Sequence, residues 1–331
     1  MLTHYRPESM NIELTTICPL RCAQCYCKPA KDKNIDKDKA IYWLKQAGEM
    51  GVKSVHLSGG ETLCYPYIYE LVSASVKYCG NANVALSGYN FTEEVYDKLI
   101  ESGITGIYIS LNGSTEEVNS LTRDGFALSL SALSLLKEKK FPETFINWVM
   151  HSNNVSDFPN VFRLAESFNV KNLVIMTAKP NSRLELNTAP SVDQVKALAK
   201  LIKHYYSPVQ IMVEACYSPM LALVFDDGRG GNTNTGINKG CGAGLTSFNV
   251  NVDGKLSPCR HLDYFEDYES LDEYWQHSTI LRMLRVLEYA RLQPCNTCKY
   301  NIYCRHCIAI NSKLNNSLHI GNEFCELHKT T

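Results

Sequence analysis

Three cysteines fall within one short stretch of the chain, Cys18-Pro-Leu-Arg-Cys22-Ala-Gln-Cys25, spaced by three and then two residues. Thiolates placed this way in one loop can converge on a single centre, and they suit a soft metal or an iron–sulfur cluster. Three thiolates are one short of a closed site. A four-iron cluster held by them would keep one iron without a protein ligand, open to a small molecule. The alternative is half of a zinc site completed elsewhere in the chain.

The elements that must carry this loop are legible around it. The run from Met10 to Thr15 reads as a strand that ends just before Cys18. Residues 36–50 have apolar positions at Ile41, Leu44 and Ala47, a helical spacing, with Gly51 as the stop. A short strand over 54–57 runs into Ser58-Gly59-Gly60-Glu61. Two adjacent glycines at a strand end permit a tight turn and close backbone approach to a ligand. The alternation continues with helices over 67–78, 92–102, 128–139, 155–168 and 192–206. Strands are expected over 83–86, 106–111, 144–149 and 172–176. Six strands alternating with helices imply an α/β fold with a parallel sheet wound in one hand.

Composition narrows the function classes. The 331 residues suffice for one large domain and a smaller one, and the net charge of −1 implies neither nucleic acid nor an anionic membrane as partner. No apolar run reaches the length needed to span a bilayer and the N-terminus has no apolar signal core, so a cytoplasmic protein is expected. Of 14 cysteines, four lie within 18–27 and seven within 241–325, with only Cys64, Cys79 and Cys216 apart. In a reducing compartment this is not a disulfide framework. It implies two metal-bearing regions flanking a scaffold, with Cys64 and Cys79 as core thiols and Cys27 too close to Cys25 to share its site comfortably.

The Cys-x3-Cys-x2-Cys loop after a first strand resembles the signature of the radical S-adenosylmethionine (SAM) superfamily. The resemblance implies an open, partial (β/α)6 TIM-like barrel with its chemistry at the C-terminal ends of the strands. It implies a [4Fe-4S] cluster on Cys18, Cys22 and Cys25 whose open iron chelates SAM, and reductive cleavage of SAM to methionine and a 5′-deoxyadenosyl radical. Gly59, Gly60 and Glu61 match the turn that binds the SAM amino group. Ser110-Leu-Asn112-Gly113 resembles the family's Ser-Leu-Asp-Gly, with Asn112 in place of the acid that contacts the SAM carboxylate or ribose. Arg123 matches an arginine that pairs with the SAM carboxylate, and Ser87 at the end of the third strand is a further candidate. The slot before the third cysteine, often aromatic in the family, is Gln24, and the aromatic is Tyr26.

A second cysteine pattern occupies the C-terminal region. Between Cys241 and Cys259 the segment 246–258 alternates and turns at Asp253-Gly254, a strong hairpin signal that would bring these two cysteines together. A helical pair over 271–275 and 279–291 precedes Cys295-x2-Cys298-x5-Cys304-x2-Cys307, and Cys325 lies near the end. Two Cys-x2-Cys pairs could serve structural zinc sites. The order of the seven cysteines resembles the SPASM domain of radical SAM enzymes, apart from a penultimate spacing of two residues where that domain has three. The resemblance implies two auxiliary [4Fe-4S] clusters, one on Cys295, Cys298, Cys304 and Cys325, the other with corners on Cys241, Cys259 and Cys307. His306, between two of these cysteines, reads as a solvent-facing residue or a neighbour of the site and not a ligand. Cys216 is left three roles: fourth ligand of the second cluster, hydrogen-atom donor to a substrate radical, or core thiol.

The expected organisation is a radical SAM barrel over 1–214, a bridging segment over 215–240 and a SPASM domain over 241–331. The glycine-rich stretch 225–239 is a linker or a loop over a substrate channel. By family precedent the substrate is a ribosomally made precursor peptide, and the product a thioether or carbon–carbon crosslink, an oxidised side chain or an epimerised residue. With the first strand beginning by residue 10, a leader peptide would need a separate binding protein or direct contact with the barrel. A flavodoxin or ferredoxin is the implied electron donor. The other readings are a small-molecule radical SAM dehydrogenase or sulfatase-activating enzyme, and a noncatalytic zinc scaffold.

Overall fold

A computed structural model of the chain describes residues 5–27, 31–179, 189–217, 240–289, 293, 295–298 and 307–315. Its elements are β1 (Ser9–Glu13), α1 (Lys37–Glu49), β2 (Ser54–Ser58), α2 (Ile68–Cys79), β3 (Asn83–Leu86), α3 (Glu93–Glu101), β4 (Gly106–Ser110), α4 (Glu116–Ser120), α5 (Phe126–Glu138), β5 (Thr144–Met150), α6 (Phe158–Ser167), β6 (Asn172–Thr177), α7 (Val192–Lys203) and β7 (Gln210–Val213). They are followed by β8 (Ser247–Val250), β9 (Leu256–Ser257), α8 (Leu271–His277), α9 (Thr279–Tyr289) and α10 (Ile308–Asn315). None of the described helices is long and apolar enough to cross a membrane.

The chain divides into two compact units. The first comprises Met1–Leu20, Cys27–Ile109 and Gly242–Val286. Within it β2 pairs parallel with β1 and with β3, and β4 pairs parallel with β3. Alternate residues of β1, Met10 and Ile12, are fully buried, and α1 covers this core with Ala40, Trp43, Leu44 and Ala47, an i, i+3, i+4, i+7 stripe. The start of α1 is fixed by Asp36, whose carboxylate accepts the Lys39 amide at 2.8 Å. The second unit comprises Arg21–Tyr26, Ser110–Cys241 and Leu287–Thr331. Here β6 lies parallel between β5 and β7, and its core gathers Trp148, Phe158 and Phe162. The strand β5 is buried along nearly its whole length, as expected of a parallel strand covered on both faces.

The α/β alternation is the expected one, with local differences that have physical causes. Residues 155–157 form a 3-10 turn before α6 proper, which carries Pro159 in its first turn, where a missing N–H breaks no helical bond. The four-residue strand β7 and the five-residue helix α4 are too short for periodicity to reveal. The hairpin expected over 246–258 is present as β8 and β9, antiparallel with Asn249 opposite Ser257. It does more than fold on itself. The outer side of β8 pairs parallel with β1, Met10 opposite Phe248, and the Trp43 indole donates to Gly254 O at 2.9 Å, so the hairpin is built into the first unit.

Candidate active site

In the first unit, the end of β2 is pressed against the chain just ahead of Cys18. The Gly60 amide donates to Thr15 O at 2.6 Å and the Glu61 amide to Ile17 O at 2.8 Å. A Cβ on Gly59 would stand 2.6 Å from Thr15 O, and one on Gly60 only 2.3 Å from Ile17 O. Backbone meets backbone here, and only glycine fits. The close approach inferred from the sequence is thus made first to the chain's own cysteine loop. Cys18 is half-buried just beyond it, and the Cys27 thiol donates to Gly59 O at 3.5 Å.

Glu61 is 2% exposed, and its carboxylate is held by its neighbours in the chain. It accepts the Leu63 amide at 3.5 Å, the Ser87 amide at 2.9 Å and the Ser87 hydroxyl. The buried Ser87 therefore acts on Glu61, locking the carboxylate of the Gly-Gly-Glu turn to the end of β3.

In the second unit, the segment after α4 grips the rest of the cysteine loop. The Asp124 carboxylate accepts the Arg21 amide at 2.7 Å, and the Asp124 amide donates to Cys22 Sγ at 3.4 Å. The Gln24 amide donates to Thr122 O at 3.1 Å. Cys22 is buried and Cys25 half-buried, with the Cys25 amide bonded to Cys22 O at 3.1 Å. Arg123 is anchored at the end of β4, its Nε donating to Ser110 O at 3.0 Å, an oxygen that also accepts the Ser129 hydroxyl. Tyr26, the aromatic after the third cysteine, is half-buried in this unit.

Asn112 is fully buried and engaged at every polar atom. Its side-chain amide donates to Gln24 Oε1 and to Thr122 Oγ1, its Oδ1 accepts the Val149 amide, and its carbonyl accepts from Trp148 Nε1 and Asn154 Nδ2. Gln24 Oε1 also lies 2.8 Å from His151 Nε2. With an amide oxygen opposite, Nε2 must carry the proton, which leaves Nδ1 an acceptor, buried and without a partner. Burial pulls the His151 pKa down to about 4, so the ring is neutral at physiological pH.

A second group of thiols lies in the same unit. Cys216, just beyond β7, shares a hydrogen bond with the buried Cys307, and Cys241 is close enough to act on Cys307 electrostatically. The bond to Cys216, with burial, pushes the Cys307 thiol well above its ordinary pKa. Beside them Lys179 Nζ contacts both oxygens of Glu214, at 2.7 and 2.6 Å, and Glu214 accepts the Thr177 amide at 2.9 Å. Cys295 opens a 3-10 turn over Cys295–Thr297, and the Cys298 amide just beyond it donates to Cys295 O. In the first unit, Cys259 Sγ accepts the His261 amide at 3.4 Å. Cys304, Cys325, His306 and the 225–239 stretch lie outside the described residues. Among the described residues no three metal-binding side chains already stand together as a metal site. The donor set itself, reduced thiols on loops held by backbone hydrogen bonds, is of the soft kind that iron–sulfur clusters take.

Gln24, Asp124, His151, Lys179 and Glu214 enter the site only with the structure. Gln24 had a sequence signal, its place between Cys22 and Cys25. Glu214 stands two residues before Cys216, a signal hidden because the strand preceding it went unread.

The stretch that holds the cysteine loop and the strand-end turns, residues 12–165, matches the model of the radical SAM superfamily. Among its relatives, a PqqA peptide cyclase of Gluconobacter oxydans is 27% identical over 88% of this chain and 83% of its own. An AdoMet-dependent heme synthase of Methanosarcina barkeri is 23% identical over 92% of this chain and 91% of its own. Streptococcus suis SuiB, solved with its precursor peptide SuiA, superposes with a TM-score of 0.80 at 15% identity, covering 98% of this chain and 76% of that one. The structure of anSMEcpe with bound AdoMet and a Cp18Cys peptide gives a TM-score of 0.74 at 18% identity, covering 98% of this chain and 95% of that one. At these identities the two structures speak for the fold.

Proposed function

We propose that this chain is a radical SAM oxidoreductase that matures a ribosomally made peptide, with a thioether or carbon–carbon crosslink as the favoured product. The observation that carries the reading is the grip on the cysteine loop: Asp124, Thr122 and Asn112 hold Arg21–Cys25 by hydrogen bonds to Arg21, Cys22 and Gln24. A loop so held keeps its thiols preorganised for a cluster. The likeness to PqqA peptide cyclases over most of the chain supports a peptide as substrate.

In this reading Cys18, Cys22 and Cys25 hold the [4Fe-4S] cluster, which with bound SAM supplies a primary carbon radical able to take hydrogen from an unactivated C–H bond. The residues of the chain bind and orient. The Gly59–Glu61 turn receives the SAM amino group, and Glu61 is aimed by Ser87. Arg123, pinned through Nε to Ser110, presents its guanidinium to the SAM carboxylate. Asn112 acts through Gln24, which with Tyr26 borders the nucleoside. Cys295, Cys298, Cys304 and Cys325 would hold one auxiliary [4Fe-4S] cluster, and Cys241, Cys259 and Cys307 three corners of the other. The Cys216–Cys307 hydrogen bond supports Cys216 as the fourth ligand over a role as hydrogen donor. By cofactor the chain then divides into a barrel over 1–214, a bridge over 215–240 and a SPASM domain over 241–331. In this reading a flavodoxin or ferredoxin donates the electron and the leader of the precursor peptide is bound by a separate protein or by the barrel itself, in the cytoplasm.

A second reading, a radical SAM enzyme acting on a small molecule, is favoured by the likeness to the heme synthase. Anaerobic reconstitution, iron and sulfide analysis, and assay of 5′-deoxyadenosine with dithionite test the proposal. About twelve irons per chain and SAM cleavage, with a mass change in a precursor peptide, are expected. Zinc without SAM cleavage would overturn it, and cleavage with no peptide modified would favour the second reading.

A further inference from the structure

Lys179 follows the end of β6 and Glu214 follows the end of β7, so the two strands deliver an ammonium and a carboxylate to one place. The Lys179 side chain is 4% exposed. Its Nζ stands against both oxygens of Glu214, at 2.7 and 2.6 Å, so the two groups are paired at close range. A buried ion pair is weak evidence of stabilisation, because an apolar pair of the same volume is often as stable. What distinguishes this one is its company. Two of the three groups acting on Lys179 are the hydrogen-bonded thiols Cys216 and Cys307, and Cys241 acts in turn on Cys307.

Four thiolates around a four-iron core leave a net negative charge that grows on reduction, and the potential of such a group responds to nearby charge. A fixed cation favours the reduced form, and a fixed anion disfavours it. We propose that Lys179 is a positioning residue that serves as the buried counter-charge to a cluster held by Cys216, Cys307 and Cys241, and that Glu214 holds it in place while partly offsetting it. This rests on the auxiliary-cluster reading above. Through this pair the chain sets how readily that cluster takes up an electron.

The test uses the full chain, reconstituted without oxygen, with iron and sulfide counted and each cluster's reduction followed by electron paramagnetic resonance during potentiometric titration. Lys179→Met should move the midpoint of one auxiliary cluster to lower potential and Glu214→Gln should move the same midpoint to higher potential. Lys179→Arg should stay near wild type. Opposite displacements from the two halves of one ion pair are what a charge effect requires, whereas loss of a merely structural pair would move both variants the same way. Unmoved midpoints, or displacements of one sign, overturn the proposal. If Lys179→Met fails to load iron, Glu214→Gln and Lys179→Arg still decide by the same criterion. A wild-type protein holding only about four irons would overturn the auxiliary-cluster reading, and this proposal with it. Full iron with unmoved midpoints would overturn this proposal alone.

Discussion

Ser87 gives both of its donors to one oxygen of Glu61: its amide at 2.9 Å and its hydroxyl reach Oε2 together. The serine at one strand end thus orients the acid at the neighbouring one. Replacing Ser87 by Ala removes one charge-assisted hydrogen bond and should cost about 2 kcal/mol of stability. The amide bond remains, so SAM affinity should fall several-fold without vanishing. Thermal unfolding and calorimetric SAM titration check the two effects.

Asp124 acts on the cysteine loop through its carboxylate and its amide. Asp124→Ala keeps the amide bond to Cys22 but leaves Arg21 without its acceptor, loosening the loop by about 1–2 kcal/mol. The expected outcome is lower iron retention and faster loss of cluster absorbance in air, with Asp124→Asn intermediate. Iron content after gel filtration and visible absorbance report both.

Gly60→Ala should be strongly damaging, since its methyl would lie 2.3 Å from Ile17 O and 2.8 Å from Thr16 O. Backbone on both sides gives no flexible side chain to move aside. Loss of several kcal/mol is expected, read as insoluble protein or a sharply lowered unfolding midpoint. By contrast Gly80→Ala, where nothing lies within 4 Å but φ is +73°, should cost about 1 kcal/mol.

His151 predicts a pH dependence. Its pKa falls from an ordinary 6.5 to about 4 on folding, so between those values the unfolded chain binds more protons than the folded one. Its contribution is therefore complete above pH 6.5 and is lost as pH falls towards 4, to an extent of about 3 kcal/mol. His56, also held at about 4 by burial and the charge of Arg260, adds a slope of the same sign. Denaturant unfolding from pH 4 to 7 should show stability rising with pH, and His151→Gln should remove about half of the rise.

Much of the scaffold was legible because it is periodic. Leu44 and Ala47 were placed inward, and the strands before the cysteine loop and the Gly-Gly-Glu turn read, from spacing alone, whereas Trp43 of the same buried stripe was not picked out. The glycines after β2 were legible as a turn, but their reason, contact with Thr15 and Ile17 carbonyls, depends on a partner more than forty residues away. Asn112 shows the same limit. Its place after β4 was plain, whereas its tie to Gln24 and its complete burial arise from contacts that no local pattern encodes. Lys179 and Glu214 escaped notice because each is an ordinary charged residue until two strands set them side by side.

The backbone contact of Gly59 and Gly60 with Thr15 and Ile17 also constrains how this protein can be altered. The turn and the start of the cysteine loop form one interlocked piece, and neither can be exchanged for a relative's version alone. A chimaera would have to carry both segments together, with the intervening α1 left free to differ.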